Sequence, residues 1–214
     1  MVTLYVGKDR EVFCIHRNLL CNASPVFKAA LIGNFRESSE HSMDLPEEDV
    51  GSVNRLVQWL YAKRYELDDA FSEEHLHARF WQLGRLNALA DKYDIITLRN
   101  DIAKMFFILF KSQRVPRLQP STDLVEYVYT NSSKRCALRD LLAAVYCWKV
   151  NYSWYSEVGV QDKLNSIPAF GGDIAIAMAQ RFLGSGDPFK GRPSDYFEII
   201  NHEDPNEGHD DSSI

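Results

Sequence analysis

The sequence predicts an α+β fold: a small sheet at the amino end, a cluster of helices after it, and an all-α extension. Three observations predict it. Residues 2–7 and 11–15 have the β-branched and aromatic alternation of a hairpin around a polar turn. Residues 47–62, 76–92 and 96–111 carry apolar side chains at helical spacing. Beyond residue 120 the periodic segments, 123–130, 138–151 and 168–183, are all helical.

Each element has a local reason. Gly7 ends the first strand, and Lys8, Asp9 and Arg10 form the turn into the second. A short helix at 17–22 runs into Ser24-Pro25, where serine as N-cap and proline at the first helical position start another. Phe27, Leu31 and Ile32 are its apolar residues, and Gly33-Asn34 its C-cap. Residues 35–41 read as a polar loop, and 41–45 as a short strand stopped by Pro46. In the helix 47–62, Val53, Leu56, Val57, Leu60 and Tyr61 share a stripe. Glu47, Glu48 and Asp49 occupy its first turn, where they suit the helix dipole. A polar, acidic connection covers 63–74. The helix 76–92 turns Phe80, Leu83, Leu86, Asn87 and Ala90 inward, and 96–111 is rich in Ile, Met and Phe. Pro116 and Pro120 mark a boundary in 113–120, and 184–193 is turn-rich. The acidic tail 201–214 has no aromatic residue and is expected to be disordered. The chain thus divides into 1–112, an all-helical extension 121–200, and the tail 201–214, with no internal repeat.

Hydrophobic residues make up 45% of the 214, enough for a real core. A formal charge of −6 and singly scattered Lys and Arg residues argue against direct nucleic-acid binding. Cys14, Cys21, Cys136 and Cys147 form no C-x-x-C pair and read as free thiols in a reducing compartment. The amino end has no apolar signal-peptide core, so the N-x-Ser triplets at Asn22, Asn131 and Asn151 read as chance matches. The longest charge-free apolar run, 105–110, is too short to span a membrane. The expected location is intracellular, cytoplasmic or nuclear.

The run Phe13-x-x-His16-Arg17-x-x-Leu20-x-x-x-Ser24-Pro25-x-Phe27-x-x-x-Leu31 is followed by Phe35-x-Glu37-Ser38 and Met43-x-Leu45. Then come Val53-x-x-Leu56-Val57-x-Trp59-Leu60-Tyr61, with Tyr65 beyond it, and Leu86-x-x-Leu89-Ala90-x-x-Tyr93-x-Ile95-x-x-Leu98. Together these resemble the signature of the BTB/POZ family, over about half the chain. Several spaced elements in the right order make the likeness specific. It implies the BTB/POZ fold, a small mixed sheet capped by a helix cluster. It also implies a protein–protein interaction module, homodimeric in many members. The residues themselves explain a scaffold. Phe13 and Ile15 alternate toward one sheet face, and Leu20, Phe27 and Leu31 pack the helix pair onto it. His16, where strand turns to helix, is placed to satisfy backbone groups that neither element pairs.

The second half, with Leu138-Arg139-Asp140-Leu141-Leu142 and Tyr146-x-Trp148-Lys149-Val150, looks like the helical region that follows the BTB domain in many fungal proteins. At the other end the pattern departs from the family. Met1 directly precedes Val2, without the acidic residue, extra strand and helix that build the family's swapped dimer. The expectation is a minimal monomeric type or a truncated start, which weakens the implied homodimer.

The candidate partner-binding residues are Phe35, Arg36, Glu37 and Tyr61. BTB proteins that recruit cullin-type ubiquitin ligases carry a hydrophobic-x-acidic motif in this loop, and its hydrophobic side chain enters a pocket on the cullin. The alternative is that Phe35 plugs the core edge and Glu37-Ser38 caps the loop.

Other clusters carry less. His75-x-His77 and Cys14-x-His16 lack the further ligands a zinc site needs. Ser38, Ser39, His41 and Asp44 are hydrolase residue types without a nucleophile elbow. Gly171-Gly172 and Gly184-x-Gly186 read as turns, and Trp148, Tyr152, Trp154 and Tyr155 as packing aromatics.

The sequence therefore reads as a non-enzymatic adaptor or scaffold with no cofactor or metal, possessing a surface for protein partners and a candidate link to a cullin. The alternatives are a transcriptional or assembly scaffold without cullin binding, and a ligand-binding or catalytic helical half that the first half oligomerises. No zinc finger, Kelch, MATH or ankyrin segment is visible.

Overall fold

β1 (Val2–Val6) is the central strand of a three-stranded mixed sheet. β2 (Glu11–Ile15) pairs with it antiparallel, Leu4 opposite Phe13. β3 (Ser42–Leu45) pairs with its other edge in parallel, Leu4 opposite Met43. Because side chains alternate along a strand, Val2, Leu4 and Val6 share one face, and all three are buried. The computed structural model describes residues 1–63, 73–111, 120–133, 136–150, 152–184 and 186–199.

α1 (Arg17–Ala23) and α2 (Pro25–Ile32) are the expected helix pair. The Ser24 hydroxyl accepts the Phe27 N–H at 3.1 Å and donates to the Tyr93 carbonyl, while Phe27 stacks on the Tyr93 ring with centroids 4.4 Å apart. A single serine thus starts α2 and fixes it to the later helices. Leu20, Phe27 and Leu31 are buried, but Ile32 is 58% exposed. It lies about 100° around the helix from Leu31, off the packed face.

Residues 35–41 are not simply a loop. They contain α3 (Arg36–Glu40), closed by His41 in the left-handed conformation. Its sequence, RESSE, has no apolar face, so hydrophobic periodicity does not reveal it. α4 (Val50–Ala62) starts three residues later than expected. Asp49 is its N-cap and accepts the Ser52 N–H and hydroxyl, each at 2.8 Å. Glu47 and Glu48 precede the helix, and Glu48 instead takes Lys92 at 2.6 Å and the Tyr93 hydroxyl at 3.0 Å.

α5 (Glu73–Lys92) buries Phe80, Leu83, Leu86, Asn87 and Ala90, as its period predicts. α6 (Ile96–Lys111) is buried around most of its circumference, because α5 covers one side and later elements cover another. The later elements are α7 (Thr122–Asn131), α8 (Ala137–Trp148), α9 (Tyr152–Tyr155), α10 (Val160–Ser166) and α11 (Pro168–Phe182), then 3₁₀ turns at Pro188–Lys190 and Pro193–Tyr196, and of these α8 and the two turns are the ones that pack on α6. α7 comes close to α5 at Gly84, where a Cβ would lie 2.7 Å from a Leu124 methyl. Gly171 and Gly172 lie inside α11 and not in a turn.

One cluster of buried apolar side chains runs from Val2 and Leu4 through Phe80 and Phe106 to Tyr146, Phe170 and Phe189. The core therefore continues from the sheet into the helical half. Of the expected boundary at 113–120 only Pro120 is among the described residues; Tyr65, most of the 63–74 connection and the tail 201–214 also lie outside them.

Candidate protein-interaction surface

The candidate surface begins where α2 ends. The Gly33 N–H bonds the Ala29 carbonyl at 3.1 Å, closing the helix. A Cβ on Gly33 would fall 2.5 Å from that carbonyl oxygen and 3.1 Å from the Phe35 ring. Glycine thus lets the Phe35 ring lie over the end of α2. Phe35 is the extended N-cap residue of α3, and its ring is 61% exposed. It does not plug the core.

The next residues have separate tasks. The Phe35 carbonyl accepts the Ser38 N–H at 3.1 Å, and the Ser39 hydroxyl donates to the Arg36 carbonyl at 2.8 Å. Arg36 turns back to Glu40 at 3.7 Å, an exposed pair of little energetic weight. Glu37, in the first turn of α3, makes no hydrogen bond or ion pair among the described residues. Gly33, Asn34, Phe35, Arg36, Ser38 and Ser39 line a shallow depression of about 610 Å³. An apolar ring and an uncompensated carboxylate are thus presented two residues apart.

Tyr61 is half-exposed, and its contacts lead elsewhere. Its hydroxyl lies 2.8 Å from His16 Nδ1 and accepts the His16 N–H at 3.3 Å. The rings meet edge to face, centroids 5.8 Å apart. The unpaired backbone group at the strand-to-helix junction is therefore satisfied by Tyr61, with the His16 ring holding the tyrosine. This long-range pairing, 45 residues apart, had no local signal in the sequence.

The remaining polar clusters do not converge. Asp44 pairs with Arg10 at 2.7 Å, and Ser39 is bound within α3. No group of three or more His, Cys, Asp or Glu side chains suited to a metal ion occurs among the described residues. No described helix is long and apolar enough to cross a membrane. The aromatics of the second half pack together: Trp154 and Phe170 each meet the Tyr146 ring edge to face at 5.0 Å. Tyr146 donates to the Pro120 carbonyl at 2.6 Å, and burial raises its hydroxyl pKa. Tyr155, pushed up to about 12 by burial, donates to the Tyr146 carbonyl at 2.7 Å.

The sheet and α1 to α6 correspond to a known family: the BTB/POZ domain profile matches residues 2–106. Residues 2–106 are a BTB/POZ domain. This makes the chain a protein-interaction module, and its BTB signature residues are the ones that build the sheet and the helix pair.

Kelch-like protein 38 of Danio rerio is 39% identical over 54 residues, covering 25% of this chain and 9% of that protein. Kelch-like protein 30 of Mus musculus is 39% identical over 69 residues, 32% of this chain and 12% of that protein. Kelch-like protein 9 of Mus musculus is 23% identical over 172 residues, 69% of this chain and 28% of that protein. At that coverage the last match extends past the BTB/POZ domain into the helical half. The chain spans less than a third of the length of each of these relatives.

Proposed function

We propose that this chain is a non-enzymatic intracellular adaptor whose BTB/POZ domain engages a cullin-type ubiquitin ligase through Phe35 and Glu37. One observation carries the reading: Phe35 stays 61% exposed at the start of α3, although a ring of that size could be buried, and Glu37 beside it has no partner among the described residues. An exposed aromatic next to a free carboxylate suits a partner with an apolar pocket and a cationic rim. In this reading residues 1–112 contact the ligase and the extension 121–200 contacts the protein to be delivered. Pull-down of a purified cullin by the wild-type chain and by Phe35→Ala tests it. Capture by the wild type alone supports the proposal, and equal or absent capture by both refutes it.

A scaffold that assembles copies of itself is the second reading. It is favoured by the exposure of Met1, Val12 and Ile32, at 64%, 57% and 58%. Solution mass decides between a dimeric scaffold and a monomeric adaptor.

A further inference from the structure

We propose that the helical half carries a second docking site: a groove between α8, α11 and segment 186–199 that takes a short partner peptide bearing a Lys or Arg. This rests on the reading of the chain as an interaction module, and it concerns a face separate from Phe35.

The groove follows from how two helices lie. α8 contributes Asp140, Ala143, Ala144 and Trp148, and α11 contributes Asp173, Ile176, Ala177 and Arg181. Both sets recur at three- and four-residue spacing, so each is a single helix face. Alanines on the facing stripes keep the floor low. Segment 186–199 forms the remaining wall with Pro188, Tyr196 and Phe197, and the volume enclosed is about 560 Å³. The walls are anchored by packing and hydrogen bonds. Tyr196 packs on Phe107 at 6.1 Å, Phe189 on Phe107 at 5.6 Å, and Arg181 stacks 4.6 Å above Trp148 while donating to the Cys147 carbonyl at 2.6 Å.

Charge selects the occupant. Asp173 is already engaged, accepting the Tyr129 hydroxyl at 2.7 Å with Arg139 3.8 Å away. Asp195 accepts the Arg192 N–H at 2.9 Å. The Asp140 carboxylate has no hydrogen bond or ion pair among the described residues; partial desolvation and the neighbouring Asp173 raise its pKa, and Arg139 offsets this only in part. A cation at this end relieves the repulsion between the two carboxylates, while an acidic group increases it. Residues 201–214 of this chain carry Glu203, Asp204, Glu207, Asp210 and Asp211 and no Lys or Arg, so their sequence does not supply the Lys or Arg. Ile176, 60% exposed over the alanine floor, offers an apolar contact beside the charge.

The test uses three nine-residue peptide libraries differing only in a fixed central Lys, Glu or norleucine, each titrated by fluorescence polarisation against the whole chain. The Lys library binds the wild type best. Asp140→Arg weakens it about tenfold or more, without changing the melting temperature, because the substitution breaks no side-chain hydrogen bond or ion pair among the described residues. Phe35→Ala leaves it unchanged, which separates this site from the cullin surface. Equal binding of the three libraries overturns the proposal, as does a Lys preference that survives Asp140→Arg. A concentration-dependent dimer abolished by Ile176→Asp assigns the groove to a second copy and also overturns it.

Discussion

Glu198 lies 2.6 Å from Arg99 and ties the last described segment to the α6 helix of the BTB/POZ domain. The same carboxylate accepts the Ala137 N–H at the start of α8, at 3.1 Å. The Glu198 backbone exchanges two hydrogen bonds with the Asn100 side chain, at 2.8 and 3.0 Å. Arg99 also holds Asp91 at 2.7 Å, and Asp91 takes the Ser133 N–H at 2.9 Å. One buried guanidinium therefore joins α5, α6, the α7–α8 connection and the carboxy-terminal segment. Arg99→Leu strands Asp91, Glu198 and Asp94, whose carboxylate lies 3.3 Å from the guanidinium, and is expected to cost about 3 kcal/mol, read as a lower urea midpoint with an unchanged m-value.

Glu198 also gives the fold a pH signature. Burial raises its carboxyl above the ordinary 4.5, although the Ala137 N–H and Arg99 pull it down. The folded state therefore binds this proton more readily than the unfolded chain does. The contribution of Glu198 to stability falls as pH rises from the ordinary value through the raised one. Glu198→Gln removes that slope, and a series of unfolding curves from about pH 4 to 7 shows whether the two proteins diverge.

Gly33 links fold and surface. A methyl group there meets the Ala29 carbonyl and displaces the Phe35 ring. Gly33→Ala is expected to cost about 1–2 kcal/mol and to weaken cullin capture nearly as much as Phe35→Ala. Circular dichroism confirms that the fold survives, and the pull-down reads the loss.

The halves are expected to fold as one cooperative unit. Cutting after Lys111 uncovers the faces of Phe107 and Phe110 that pack on Phe189, and the face of Phe107 that meets Tyr196. The fragment 1–111 is predicted to aggregate or to melt without cooperativity. A soluble fragment with a sharp thermal transition would show two separable units.

Much of this architecture is written in local pattern. Ser24-Pro25 announces α2, and the inward set on α5 is Phe80, Leu83, Leu86, Asn87 and Ala90, as the period requires. What escaped lacks periodicity or depends on distance. α3 has no apolar residue, α9 has only four residues, and Asp49 acts as a cap where dipole reasoning alone puts it inside the helix. The Tyr61–His16 and Glu198–Arg99 pairs join residues too far apart for any spacing rule. Of the candidate surface, the Phe35–Glu37 pattern was visible in sequence. The exposure of the ring and the return of Arg36 to Glu40 required the fold.

The central claim is that Phe35 and Glu37 form a cullin-binding pair. Calorimetric titration of a purified cullin amino-terminal domain into the wild-type chain, Phe35→Ala and Glu37→Lys tests it most directly. The account predicts saturable binding by the wild type, weakened by about 2 kcal/mol or more in Phe35→Ala and also weakened in Glu37→Lys, with melting temperatures unchanged. Binding of equal strength by all three proteins, or by none, would contradict it.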